Sequence, residues 1–302
     1  MSLGSFSEAQ ALLDPALLQE VFAQLSRELV PRAGLEGPSR QSWRVQDGSL
    51  FEALPRMYWC LWRRQGRQQS QARPHLTLDL ERGCPVGAHV TPGKTCERAV
   101  WRRELRPGQA YIGDRYYGAD YQLFGQLDRA GIVFVSRLRE DAVILVREEL
   151  PVSQDDRAAG VLRQAWAKLG GRDCRLELPM RVVWVRTPKE VLQLVTNLEP
   201  AELSGAEVAL LYRQRWQIEL FFRWIKCILG CRHWLAESPQ GVAIQIYLAL
   251  IAALLLQLYT GQRPNRRMME LIQFYLLGVA SLEELWAGLE RQRRALAARK
   301  KS

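Results

Sequence analysis

Between residues 205 and 229 the apolar positions follow a helical period, with Leu211, Ile218, Leu220, Phe221, Trp224 and Ile225 covering most of the circumference. At roughly 100° per residue, Tyr212, Arg215, Glu219 and Lys226 fall in one sector about 60° wide. One polar stripe on a mostly apolar cylinder thus carries a single acid flanked by cations. Ser204-Gly-Ala-Glu207 has capping-box spacing and Gly230 supplies a left-handed stop, so the pattern predicts one helix over 205–229. A solvated salt bridge explains the stripe poorly, because base before acid is the weaker order for an i,i+4 pair.

Upstream, the pattern switches between the two periods. Residues 8–30 predict a helix bearing Leu12, Leu13, Leu17, Leu18, Val21 and Phe22, closed by a Pro/Gly/Ser break at 31–42. Trp43-Arg-Val-Gln-Asp47 reads as a short strand ending in a carboxylate, with Gly48 after it. Residues 63–74 read as a flexible basic loop. His75–Leu80 and Val86–Val90 alternate as a hairpin around 81–85, and 95–105 reads as a helix closed by Pro107-Gly108. Ala110-Tyr-Ile-Gly-Asp114 is a second short strand ending in an aspartate. A helical pattern to Ala130, a Gly131 stop and the strand 132–137 follow, which together predict a strand, crossover helix and parallel strand. Acids at the C-terminal ends of parallel strands are where such sheets place their sites.

Residues 139–203 read as strands at 143–146, 175–178, 181–185 and 191–197, split by a polar link near 151–160 and by Gly170-Gly171. Helices follow near 239–259, 266–278 and 281–298, ending in a basic tail. The apolar run 246–256 is shorter than the roughly 20 residues a membrane span needs and reads as a buried helix.

Composition narrows the function classes. The 302 residues are 48% hydrophobic, ample for a globular core, and 42 Lys and Arg against 32 Asp and Glu leave +10, which suits an anionic partner such as nucleic acid. The excess collects between 61 and 110, with ten bases against four acids, and between 210 and 235, with five against one. Six cysteines (60, 84, 96, 174, 227 and 231) form no disulfide framework, so free thiols in a reducing cytosol are expected. Cys227-x3-Cys231-x-His233 offers only three ligands and reads as buried cysteines near a helix end, not a zinc site.

Asp47, Asp114 and Glu219 are the candidate acids. Taken alone, Asp47-Gly48 could be an ordinary turn and Asp114 a helix N-cap; Asp79, placed mid-strand, is a distant rival to Asp47. Neighbouring strands with the stripe helix packed across them would bring the three together. Such a cluster repels itself unless a hard cation sits within it, and magnesium suits oxygen ligands of this kind.

Tyr212-x2-Arg215-x3-Glu219-x6-Lys226 resembles the signature of the IS-four family of insertion-sequence transposases. The likeness continues through Gly230-Cys-Arg-His-Trp234 and Ser238-Pro-Gln-Gly-Val242. Upstream, Asp47-Gly-Ser is similar to the family's first aspartate motif, and Gly-Asp114-Arg-Tyr-Tyr with Phe-Val-Ser-Arg-Leu-Arg to its second. The resemblance spans roughly residues 43–260. It implies an α/β, ribonuclease-H-like mixed sheet with a β-rich insertion and a helical C-terminal region. The corresponding division is a short helical region at 1–42, a core of 43–138 with 204–260, an insertion at 139–203, and a helical region with a basic tail at 261–302.

The resemblance also implies metal-dependent cleavage at element ends and strand transfer by Asp47, Asp114 and Glu219 holding Mg2+ or Mn2+. Tyr212, Arg215 and Lys226 would contact DNA, and Trp184 is the candidate for stacking a flipped base. The implied partners are terminal inverted repeats and target DNA, bound by a homodimer in a synaptic complex, in the bacterial cytoplasm with no membrane. Only 46 residues precede Asp47, fewer than the family usually places there. The alternatives are a truncated, catalytically silent DNA-binding remnant and a ribonuclease-H-like nuclease without strand transfer.

Overall fold

A computed structural model describes residues 14–29, 42–54, 56–64, 67–171, 176–228, 234 and 236–299. The first helix, α1 (Pro15–Glu28), starts where the Asp14 carboxylate accepts the Ala16 N–H and Pro15 occupies the first turn. Then come β1 (Trp43–Gly48), β2 (Phe51–Glu52), β3 (Leu61–Arg64), β4 (Arg67–Asp79) and β5 (Cys84–Pro92). Helix α2 (Glu97–Glu104) leads to β6 (Ala110–Gly113), α3 (Tyr121–Arg129) and β7 (Val133–Arg137). The next stretch holds β8 (Ile144–Leu150), α4 (Gln154–Ala158), β9 (Val161–Leu169), β10 (Leu176–Arg186) and β11 (Val191–Thr196). Helices α5 (Gly205–Gln214), α6 (Trp216–Ile228), α7 (Pro239–Thr260), α8 (Arg266–Leu276) and α9 (Leu282–Arg299) complete it.

Strands β5, β4 and β1 run antiparallel to one another, and β1, β6 and β7 run parallel. The order β5-β4-β1-β6-β7 is the ribonuclease-H-like arrangement expected from the sequence. Beyond β7 the same sheet continues through β11, β10, β9 and β8, all antiparallel, so the strands of 139–203 extend the sheet.

Alternation sorts the side chains onto two faces. Val45, Ile112, Val135, Val183 and Leu194 point into the core beneath α5, α6, α7 and α1. Tyr111, Phe134, Val182 and Val195 point the other way, against Trp101 of α2 and Leu123, Phe124 and Leu127 of α3. Helix α7, foreseen near 239–259, spans 22 residues and is long and apolar enough to cross a membrane, although the run 246–256 within it is not; 61% of its most apolar window is buried. It is a core helix: Tyr247 donates to the Ala88 carbonyl and Gln257 to that of Arg82, both near the β4–β5 hairpin.

Three sequence expectations need correction. Residues 63–74 are not a flexible loop, because β3 pairs with the start of β4 as a hairpin, Leu61 opposite Ser70. Polar composition misled there, since strand pairing in a hairpin satisfies the backbone whatever the side chains are. Strand β9 was not foreseen. Its Ala, Gln and Lys favour helix, but pairing on both sides, with β8 and β10, overrides propensity and buries Ala165, Ala167 and Leu169. The two strands foreseen at 175–178 and 181–185 are one, β10.

The stripe helix also differs from expectation. Its capping box is present: the Ser204 hydroxyl accepts the Glu207 N–H at 3.2 Å, and Glu207 accepts the Ser204 N–H at 2.7 Å. Yet it is two helices, α5 and α6, meeting at Arg215. There the Arg215 N–H bonds the Tyr212 carbonyl and the Ile218 N–H that of Arg215, which tightens the coil by one residue. The expected Gly230 stop and the Cys227-Cys231-His233 side chains lie outside the described residues, as does the basic tail from Lys300.

Candidate active site

Parallel pairing puts Val45 of β1 opposite Ile112 of β6, so two residues further on Asp47 and Asp114 leave the same edge of the sheet. Gly48 donates its N–H to Asp47 Oδ1 at 2.8 Å. Asp114 Oδ1 accepts the N–H groups of Tyr116 at 2.8 Å and Tyr117 at 3.4 Å, which curls the chain into a turn. That turn sits tight against β7. A Cβ at Gly118 would lie 1.8 Å from the Arg137 carbonyl oxygen, so only glycine fits.

The helices supply the opposite wall. Glu219 accepts from the Arg215 guanidinium, whose other amino group is 3.9 Å from Asp47 Oδ2. Arg215 therefore joins the strand acid to the helix acid. The Arg215 guanidinium carbon is 6.0 Å from the Tyr212 ring centroid, and burial raises the pKa of the Tyr212 phenol, which stays a neutral donor. Lys226 Nζ lies 5.1 Å from the Phe51 ring centroid. A cleft of about 340 Å³ runs between the walls, lined by Asp47, Gly48, Ser49, Glu219, Phe222, Arg223 and Lys226. Larger depressions, of about 500 Å³ near Tyr116 and about 570 Å³ along α3, are lined by none of the six expected residues.

Asp47 is electrostatically loaded. Burial, then the charge of Asp114, pushes its carboxyl up to about 7, against the Gly48 N–H and Arg215, while Glu97 adds to the rise. Carboxylates held together against their repulsion offer hard oxygen ligands and a deficit of positive charge, the donor set a small divalent cation suits. Among the described residues no three His, Cys, Asp or Glu side chains stand close enough to hold an ion as they are. The Arg215 guanidinium occupies the gap between Asp47 and Glu219.

Two site neighbours escaped the sequence. Arg223, exposed on the cleft, is four residues from Glu219 on the same stripe, and that spacing could have revealed it. Glu97, the first residue of α2, ion-pairs with Arg73; burial, opposed by Arg73 and reinforced by the charge of Asp114, raises the pKa of its carboxyl. No local pattern marks Glu97, because only the fold brings it beside residues 47 and 114. Asp79 is fully buried at the far end of the β1–β4 pair, bonded by Ser42 and Arg82, and takes no part in the cleft. Trp184 lies on β10 with the Arg163 guanidinium 4.8 Å from its ring centroid, packed against the core on the α3 side.

The sequence profile of the transposase DDE domain matches residues 41–255. The chain belongs to the DDE transposase domain family. This transposase is 28% identical over 283 residues to a putative transposase, y4zB, of Sinorhizobium fredii, covering 92% of this chain and 76% of that protein. It is 36% identical over 267 residues to a putative transposase for insertion sequence element IS4SA of Synechocystis sp., covering 85% and 72%. Among solved structures it is similar to the piggyBac transposase in a synaptic complex with hairpin DNA, at a TM-score of 0.44 and 11% identity. That match covers 85% of this chain and a little over half, 57%, of the other. The family and the relatives make the protein a DNA transposase, and so an enzyme, and do not favour the silent remnant.

Proposed function

We propose that this chain cleaves phosphodiester bonds at the ends of its own insertion element and joins the freed ends to target DNA, as a member of the IS-four group. The observation that carries this reading is the meeting of strand-end and helix-borne acids at one cleft, with Arg215 bridging Asp47 and Glu219. Asp47, Asp114 and Glu219 would hold Mg2+ or Mn2+, which supplies Lewis acidity and an activated oxygen nucleophile when bound. Arg215 offers phosphate a planar two-pronged donor, Lys226 a point charge and Tyr212 a neutral hydroxyl. Arg223 adds a further cation at the mouth of the cleft. In the first step water attacks phosphorus and the bond to the 3′ oxygen breaks, leaving a free 3′-hydroxyl. In the second, that hydroxyl attacks a target phosphodiester and loses its proton to solvent, while the target's own bond from phosphorus to its 3′ oxygen breaks and the departing oxygen takes up a proton to leave a new 3′-hydroxyl. Positioning and charge stabilisation carry the catalysis.

The partners in this reading are duplex terminal repeats and target DNA, handled by a homodimer in the bacterial cytoplasm. In this reading residues 43–138 with 204–260 are the catalytic core and 139–203 the insertion, flanked by the regions 1–42 and 261–302. The test uses a duplex carrying the element's terminal repeat with Mg2+. Wild type cuts and joins the 3′ end to a second duplex, whereas Glu219→Gln binds the duplex but does neither. Cutting without joining returns the nuclease, and equal binding without cutting in either protein returns the remnant.

A further inference from the structure

A second depression, of about 500 Å³, begins at the residues directly after Asp114 and shares no lining residue with the cleft. Arg98 of α2, Arg115 and Tyr116 line it, together with Arg139, Glu140 and Asp141 from the chain after β7. The Asp114 carboxylate, which accepts the Tyr116 N–H at 2.8 Å, ties it to the acids of the candidate site. Its two neighbouring tyrosines have opposite fates. Tyr117 is buried with its ring centroid 4.3 Å from that of Trp101, whereas Tyr116 is 42% exposed, so core packing accounts for the first ring and not for the second. The turn that carries them is braced against α2: Arg102 ion-pairs with Asp120, and Arg98 donates its Nε–H to the Tyr116 carbonyl at 2.9 Å.

The charges here divide into spent and unspent. Both oxygens of Asp141 face the Arg139 guanidinium at 3.0 Å, and Glu140 lies 3.5 Å from the guanidinium of Arg137, so the two acids are already offset. Arg98 commits only its Nε, which leaves the two amino groups of a guanidinium whose carbon stands 4.4 Å from the Tyr116 ring centroid. Among the described residues no carboxylate pairs with Arg98 or with Arg115, which is exposed. Two uncommitted arginines beside an exposed aromatic ring suit a phosphodiester strand, the cations taking a phosphate and the ring a sugar or base.

We propose that this depression is a second DNA subsite, which holds the strand lying beyond the scissile bond, the flank before cleavage and the target after it. Arg115 and the amino groups of Arg98 take a phosphate, and Tyr116 takes the adjoining nucleotide. It deepens the proposed function and rests on it, because the cations of the cleft, Arg215, Arg223 and Lys226, are then left to the element end. Fluorescence anisotropy of the full chain in EDTA tests it without any chemistry, with one duplex that ends at the cleavage point and one that carries flanking DNA. Arg115→Ala should weaken binding of the flanked duplex roughly 3- to 10-fold and flatten its log–log salt slope by about one. Tyr116→Ala should weaken it on the order of 10-fold with the slope unchanged, and Tyr116→Phe should match wild type, since the ring and not the hydroxyl makes the contact.

The duplex that ends at the cleavage point should bind every variant as it binds wild type, and Arg139→Ala, whose guanidinium Asp141 already holds, should change neither duplex. Melting temperatures should not move, because Arg115 and Tyr116 are exposed, and this separates a lost contact from a lost fold. Cys96 gives a readout in wild type: its thiol is exposed 3.8 Å from the Tyr116 hydroxyl, so its alkylation should slow with the flanked duplex and not with the other. Flanked binding that survives both Arg115→Ala and Tyr116→Ala overturns the subsite, and equal weakening of the two duplexes overturns its assignment to the outer strand. Wild type that binds neither duplex overturns the proposed function as well. The expected pattern in a protein that cuts no DNA would keep the subsite and remove that function alone.

Discussion

Two aspartates on adjacent strands, at opposite ends of the β1–β4 pair, show how burial alone does not make a site. Asp79 stands opposite Arg44 and Asp47 opposite Leu76. Asp79 is the more buried, yet its oxygens are occupied: Ser42 Oγ donates at 2.7 Å, the Arg82 N–H at 2.9 Å and the Arg82 guanidinium at 3.3 Å. Asp47 has one close backbone donor, a guanidinium 3.9 Å away, and the charges of Asp114 and Glu97 against it. Asp79 is a finished structural knot, and Asp47 is a carboxylate still seeking positive charge.

The comparison breaks first on catalysis. Asp47→Asn or Asp114→Asn should lower strand cleavage on the order of 10³-fold or more, with melting temperature unchanged or raised, because a repelling charge is removed. Asp79→Ala should leave cleavage per folded molecule intact but lower unfolding free energy by about 3 kcal/mol in urea titration, since Arg82 and Ser42 lose a buried partner. Equal losses of activity in both variants would erase the distinction.

Acidity sharpens it. The Asp47 carboxyl titrates near 7 in the folded chain and near 3.8 unfolded, so the folded state keeps the proton longer. Its contribution is neutral below about pH 4, becomes a growing penalty as pH rises to about 7, and is constant above. In metal-free buffer wild type should therefore lose on the order of 2 kcal/mol relative to Asp47→Asn between pH 4 and 8, allowing for partial solvent screening. Added Mg2+ at pH 8 should raise the wild-type melting temperature more than that of the variant.

The smallest effect concerns the far wall. Arg223→Ala and Lys226→Ala should each flatten the log–log salt dependence of duplex binding by about one, while an exposed arginine outside the cleft, such as Arg139, should not.

Much of the site was legible because its signals are local. The stripe of Tyr212, Arg215, Glu219 and Lys226, the Ser204–Glu207 cap and the strand-end positions of Asp47 and Asp114 depend on periodicity and neighbours within one turn. The joint at Arg215 was not legible, because a coil tightened by one residue leaves the apolar pattern intact. Nor was the hairpin of β3 with β4, whose Gln and Arg read equally well as a loop until a partner strand is present.

The sequence by itself determined which residues are candidates for the chemistry and the kind of element that holds each one, since helical and strand periods, caps and turns are written within a few residues. The tertiary structure alone decided that Asp47 stands level with Asp114 and that Arg215 spans from Glu219 to Asp47. It also decided that Glu97 arrives beside them and that β9 is a strand. Each of these depends on partners tens of residues away, and strand register and burial are settled only when those partners meet.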